Sequence, residues 1–328
     1  MRRREFIALL GGAASLWPLA VRAQKPPLPV IGFLSSASAD LYTIRLRAFH
    51  NGLKDQEYVV GQNVAIEYRW AEGQNNRLPA LAAELVHRQV DVIAAGGGTP
   101  AALAAKAATA TIPIVFAIAV DPVKIGLVAS LNRPGGNLTG ITSLNVEVGP
   151  KRLELLRELI PKAEIIALLI NPTNPSLAED FLRALQPAAS TLGLQLHVLQ
   201  ASTEQDFDRV FAALAQLRAD ALVIMPDVLF STRSEQLARL SLRHAVPAIY
   251  EYRPFVAAGG LISYGSNETE YYRLLGTYTA KVLRGMKPAD LPVLQSTKIE
   301  LLINLKTAKA LGLTVPLSLL GRADEVIE

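Results

Sequence analysis

The chain has 328 residues, half of them hydrophobic, with a formal net charge of +4 and no cysteine. That length supports two domains with a substantial core, and the missing cysteine removes disulfides and a lipidated cysteine from the expectations. Four arginines and one glutamate fall within residues 1–23, so the remainder carries a net charge near +1 and gives no electrostatic case for nucleic acid.

In chain order, basic Arg2, Arg3 and Arg4 precede an apolar stretch from Phe6 to Ala20, then Val21-Arg22-Ala23. This order reads as a secretory leader cleaved after Ala23, and Arg3-Arg4-Glu5-Phe6-Ile7 resembles the twin-arginine export pattern. Gly11, Gly12 and Pro18 interrupt the apolar stretch, which falls short of the roughly 20 apolar residues a membrane span needs. A retained anchor and a buried helix are the other readings. A cleaved leader places the mature chain in the periplasm.

From Val30 onward, apolar runs of strand length alternate with amphipathic stretches. Strands are expected at Val30–Leu34, Val64–Trp70, Val90–Ala95 and Ile112–Ala117, with helices at Leu41–Gln56, Leu78–Arg88 and Ala101–Ala108 between them. Arg133-Pro134-Gly135-Gly136-Asn137 forms a strong turn before a strand at Leu138–Thr142. A second series of similar length follows. Its strands are Ile165–Ile170, Leu194–Leu199, Ala221–Met225 and Ala248–Tyr250; its helices are Pro150–Leu159, Leu177–Leu192, Glu204–Leu217 and Thr232–His244. The last part carries a strand at Leu261–Tyr264, a helix at Glu270–Arg284, a strand at Lys298–Asn304 and a short helix at Leu305–Leu311. This rhythm predicts an α/β fold of two doubly wound parallel-sheet lobes joined by a hinge. The chain is expected to cross between lobes near Thr142–Val148 and again near Pro288–Pro292.

Ligands of such sheets bind beyond the carboxyl ends of the strands. Those ends are polar here: Ser35-Ser36, Arg69-Trp70, Gly96-Gly97-Gly98-Thr99, Asp121, Asn171 to Asn174, Asp227, Tyr250-Glu251-Tyr252, and Tyr264-Gly265-Ser266. Ser36, Thr99, Asp121 and Asn174 each precede a helical stretch, so helix capping is the competing role for each. The glycine turn offers either a backbone cradle for a small carboxylate or a plain tight turn. It lacks the nucleotide-binding glycine patterns. Trp70, Tyr250 and Tyr264 are able to stack on a flat ligand or to pack as wall. The four histidines (His50, His87, His197 and His244) lie far apart, with no second ligand at metal spacing. No cofactor, metal or catalytic group is expected.

Several stretches resemble the ABC-transporter substrate-binding proteins whose members include tryptophan- and tyrosine-binding proteins. They are Asp91–Ala108, Ile112–Gly140, Lys151–Pro161, Gly259–Gly265, Lys298–Leu313 and Arg322–Glu328. The resemblance implies the type I periplasmic-binding-protein fold, with lobes of residues 29–143 plus 266–290 and 144–265 plus 291–328. It implies a ligand in the hinge cleft, held by positions that fall on Ser35, Ser36, Gly97, Gly98, Thr99, Asp121, Asn171, Asn174, Asp227 and Tyr264. It also implies delivery to an ABC permease in the inner membrane. The first strand end, Ser-Ser-Ala-Ser-Ala-Asp, departs from the aromatic-amino-acid binders. A small-molecule ligand and a monomer complete the expectation. An exported ligand-sensing module and a hydrolase or isomerase on the same fold are the rival functions.

Overall fold

The computed structural model describes residues 28–143 and 145–328. The leader and its cleavage after Ala23 lie outside the described residues. The first lobe begins with β1 (Val30–Ser35), α1 (Thr43–Lys54), β2 (Ala65–Trp70), α2 (Leu78–His87), β3 (Val92–Ala95), α3 (Gly98–Ala108), β4 (Ile114–Ile118) and β5 (Leu138–Ser143). Strands β3 and β4 are fully buried apolar runs, as helices on both faces of a parallel sheet require. All pairings are parallel, in the order β2-β1-β3-β4-β5.

The second lobe repeats the plan. It contains α4 (Gly149–Leu159), β6 (Ile165–Ile170), α5 (Pro175–Leu192), β7 (Gln195–Gln200), α6 (Phe207–Leu217), β8 (Ala221–Ile224), α7 (Val228–Thr232), α8 (Ser234–Arg243), β9 (Ala248–Tyr250), α9 (Arg253–Ala257) and β10 (Ile262–Ser266). Its order, β7-β6-β8-β9-β10, matches the first lobe strand for strand, again in parallel. The expected pair of doubly wound lobes is present.

The chain then returns to the first lobe as α10 (Glu268–Leu283), which lies along α1. The two helices touch backbone to backbone: a Cβ on Gly276 would stand 2.1 Å from the Phe49 carbonyl oxygen. Next, β11 (Leu294–Ser296) pairs parallel with β5, and β12 (Ile299–Asn304) joins the second sheet antiparallel to β10. The chain ends with α11 (Leu305–Ala310), α12 (Leu317–Leu320) and β13 (Glu325–Ile327), which pairs parallel with β12.

Three expectations need correction. The lobe boundary expected at 290/291 moves past Ser296, because Leu294–Ser296 pairs with Ile141–Ser143 of the first sheet. Thr139 Oγ1 also donates to the Leu291 carbonyl at 2.6 Å, anchoring the preceding turn there. The helix expected from Thr232 starts at Ser234 as α8, because Arg233 leaves helical geometry at φ −111° and ends a separate short helix, α7, which the Asp227 side chain caps. The helix expected from Leu41 opens as a 3-10 turn at Asp40–Tyr42 before α1. Elements α9, α12, β11 and β13 were not expected; each is three to five residues long, too short for a periodic pattern to register.

Candidate functional site

In each lobe the strand order reverses at one place, between β1 and β3 and between β6 and β8. A doubly wound sheet leaves a crevice at such a reversal, because the two following loops turn to opposite faces. The loops at these two points carry Ser36 and Gly97 in the first lobe, and Asn171 and Asp227 in the second. All four residues line one cavity of about 110 Å³ between the lobes.

On the first-lobe side, Ser36 Oγ donates to the Gly97 carbonyl at 2.8 Å, and Ser35 Oγ accepts from the Ala37 N–H at 3.2 Å. A Cβ on Gly97 would stand 2.3 Å from the Ser36 nitrogen, so only glycine allows these loops to touch. Gly98 follows, and a Cβ there would come 3.2 Å from Val228 Cγ2 of the other lobe. The lobes are therefore closed on each other at this point. Thr99, opening α3, is buried, with no hydrogen-bond partner for its hydroxyl.

Across the cavity, Asp227 accepts from Asn171 Nδ2 at 2.9 Å, from Asn174 Nδ2 at 2.8 Å and from the Leu229 N–H at 3.0 Å. Burial pushes its carboxyl above the usual range, while these three donors oppose that rise. Asn171 Oδ1 in turn accepts from Thr173 N and Oγ1. Asp227 thus anchors two asparagines and a helix start.

Two expected site residues lie elsewhere. Asp121 caps the next turn, accepting from the Val123 N–H at 2.8 Å, and lines a separate hollow with Lys124, Glu147 and Arg183. Tyr264 lies within β10, where its carbonyl accepts from Arg152 Nε at 2.8 Å and its ring packs on the core. Of the two roles open to the aromatic rings, ligand stacking and wall packing, the structure shows them engaged with protein. Trp70 lies parallel to Tyr68 at 5.8 Å, and Tyr250 meets Tyr252 and Phe255 edge-on.

The cavity also contains residues that the sequence reading missed: Ser38, Glu72, Asn75 and Arg233. Arg233 falls in the first turn of the helix expected from Thr232; its Nε contacts Glu204, and the residue lines the cavity. Glu72 and Asn75 follow β2 and were recoverable from the strand-end rule. Asn75 Nδ2 reaches across the lobes to Thr173 Oγ1 at 3.1 Å.

A buried cluster braces the first-lobe wall. The Tyr42 hydroxyl donates to the Gly96 carbonyl and lies 2.6 Å from the Tyr272 hydroxyl. The Arg45 guanidinium sits over the Tyr42 ring at 5.0 Å and bonds Glu268 through Nε at 2.8 Å. Burial works against the charge of Arg45, but the carboxylate of Glu268 outweighs it and holds the guanidinium protonated.

The family model for ABC transporter substrate binding proteins matches residues 29–327. The chain belongs to the ABC transporter substrate-binding protein family. A tyrosine-binding protein from Clostridioides difficile is 29% identical over 81% of this chain and 76% of its own length. A Streptococcus pneumoniae domain solved in complex with L-Trp is 26% identical, covers 92% of this chain and all of its own, and superposes with a TM-score of 0.79. A Clostridium difficile substrate-binding protein in its ligand-free, open form is 25% identical over 92% of this chain and 99% of its own, with a TM-score of 0.62. At similar identity and coverage, this substrate-binding chain therefore follows the ligand-bound shape more closely than the open one. Its family and relatives bind solutes and are not enzymes. The expected type I periplasmic-binding fold stands on the same matches. Among the described residues, no helix is long and apolar enough to cross a membrane.

Proposed function

We propose that this chain is the solute-receiving component of an ABC importer, exported to the periplasm as a monomer, and that it carries an amino acid in the inter-lobe cavity. One observation carries this reading: the crevices of both lobes face each other across one cavity that both line with polar groups. In this reading the Arg233 guanidinium and the Gly97–Thr99 turn take the carboxylate, and Glu72 takes the ammonium group. The kinship with tryptophan- and tyrosine-binding proteins supports an aromatic side chain.

The cavity of about 110 Å³ is smaller than the roughly 300–1,000 Å³ of small-molecule sites, so the lobes must part to load. The loaded, closed form is then what a permease in the inner membrane recognises. Calorimetric titration with the common amino acids tests the reading. A ligand at a hundredfold excess over Kd adds about 2.7 kcal/mol of stability. Arg233→Ala should weaken that ligand at least about tenfold, or 1.4 kcal/mol. An unresponsive protein across the whole panel, including L-tyrosine and L-tryptophan, refutes the proposal.

A further inference from the structure

We propose that a second ligand site lies beside the hinge and takes a small organic amine. A cavity of about 440 Å³ opens between α9, the ends of β10 and β12, and the first turns of α8 and α10. It shares no lining residue with the inter-lobe cavity described above.

The charges around it are unevenly matched. Glu268 bonds Arg45, Glu300 pairs with Lys298, and Arg253 pairs with Glu325. Among the described residues, Glu235 and Glu251 have no basic side chain within ion-pairing distance, and both line the cavity. Glu251 is 2% exposed and its Oε2 has no hydrogen-bond partner; Ser266, 3% exposed, lines the same wall with an equally unpartnered hydroxyl. Buried polar atoms of native proteins are almost always bonded, and an unbonded pair that lines one cavity calls for an explanation, of which a bound ligand is one.

The opposite wall selects the kind of cation. Ile44, Pro254, Ala257, Ala258 and Leu302 form an aliphatic surface. Hydrated metal ions gain nothing from such a wall, and no group of three metal-ligating side chains converges among the described residues. An ammonium group with a short hydrocarbon body satisfies both walls. Burial, opposed by Arg152, pushes the Glu251 carboxyl well up. The wall residues come from both lobes, with Ile44 and Glu268 on the first and Glu235 and Glu251 on the second, so an occupant also bridges them.

The test is calorimetric titration of the full chain with butylamine and 1,4-diaminobutane, using butyrate as the charge control. Saturable binding of an amine, absent for butyrate, is expected. Glu251→Gln and Glu235→Gln should each weaken it at least about tenfold, whereas Glu72→Gln, in the inter-lobe cavity, should leave it unchanged. Glu235 is exposed at a helix start, so its variant folds even where the buried one does not. No saturable amine binding, or parental affinity retained in both glutamine variants, overturns the proposal. Loss of binding in Glu72→Gln also overturns it, by placing the amine in the cleft. Amino-acid titration of the same samples reports separately on the cleft.

Discussion

Asp227 holds three hydrogen bonds at once, and that decides what its replacement would do. Ala at this position strands the amides of Asn171 and Asn174 and uncaps α7. A buried unsatisfied group costs about 1–3 kcal/mol, so urea melts of Asp227→Ala should show a loss of that order, with weaker solute binding alongside. Glu251 behaves differently, because no basic group pairs with it. Burial raises its carboxyl well above the ordinary 4.5, with Arg152 lowering it and Glu268 and Asp227 raising it further. Between the unfolded and the folded pKa, the folded chain holds an extra proton, so stability falls as pH rises through that window. Glu251→Gln removes this slope. Its stability relative to the parent should therefore improve as pH rises above the ordinary carboxylate value of 4.5, by as much as about 1.4 kcal/mol per pH unit. Parallel denaturation curves at all pH values would show that burial does not control this carboxyl.

Helices α1 and α10 show how one element is positioned by what it lacks. Gly52 and Gly276 leave no side chain between the two backbones, so they cross in direct contact. A methyl group on Gly276 has no rotamer by which to escape, since the obstacle is the Phe49 carbonyl. Gly276→Ala should destabilise by about 1–3 kcal/mol in thermal or urea melts, despite the better helix propensity of alanine. The effect should extend to the binding site, because Tyr42 precedes α1 and Tyr272 lies in α10, and both hydroxyls support the β3 end at Gly96. Strand β11 makes the complementary point. It is three residues long and lies close to Pro288 and Pro292, and it exists because β5 offers it an edge.

At the scale of the whole molecule, three crossings join the lobes, after Ser143, Ser266 and Ser296. Buried Arg152 ties two of them, donating to the Tyr264 carbonyl at 2.8 Å and the Asn145 carbonyl at 3.0 Å, while Asn145 Oδ1 accepts from Ser266 N at 2.9 Å. The hinge is therefore braced by hydrogen bonds, and the opposite rim is held by the Asn75–Thr173 contact alone among the side-chain bonds described above. Asn75→Ala removes that latch. A bond of this kind contributes about 0.5–1.5 kcal/mol, so Kd for the solute should rise by up to about tenfold while the folding midpoint barely moves. Small-angle scattering should show a larger open population in the unliganded variant. An unchanged scattering profile would mean that the rim contact does not favour closure.

The sequence by itself determined the two α/β lobes, nearly all the longer strands and helices, and the residues at the strand ends. It could do so because buried parallel strands are continuous apolar runs, and the loops beyond them are polar. It also placed Ser36, Gly97, Asn171 and Asp227 among the candidates, since the strand-end rule is local. Only the tertiary structure decided which strand ends meet. Asp121 and Tyr264 satisfy the local rule but lie away from the two reversals of strand order, whereas Arg233 enters the cavity from a break between helices. The short elements, the hinge after Ser296 and the unpartnered carboxylate of Glu251 were equally beyond the pattern. Each depends on what a distant segment brings alongside, and periodicity reports only on near neighbours in the chain.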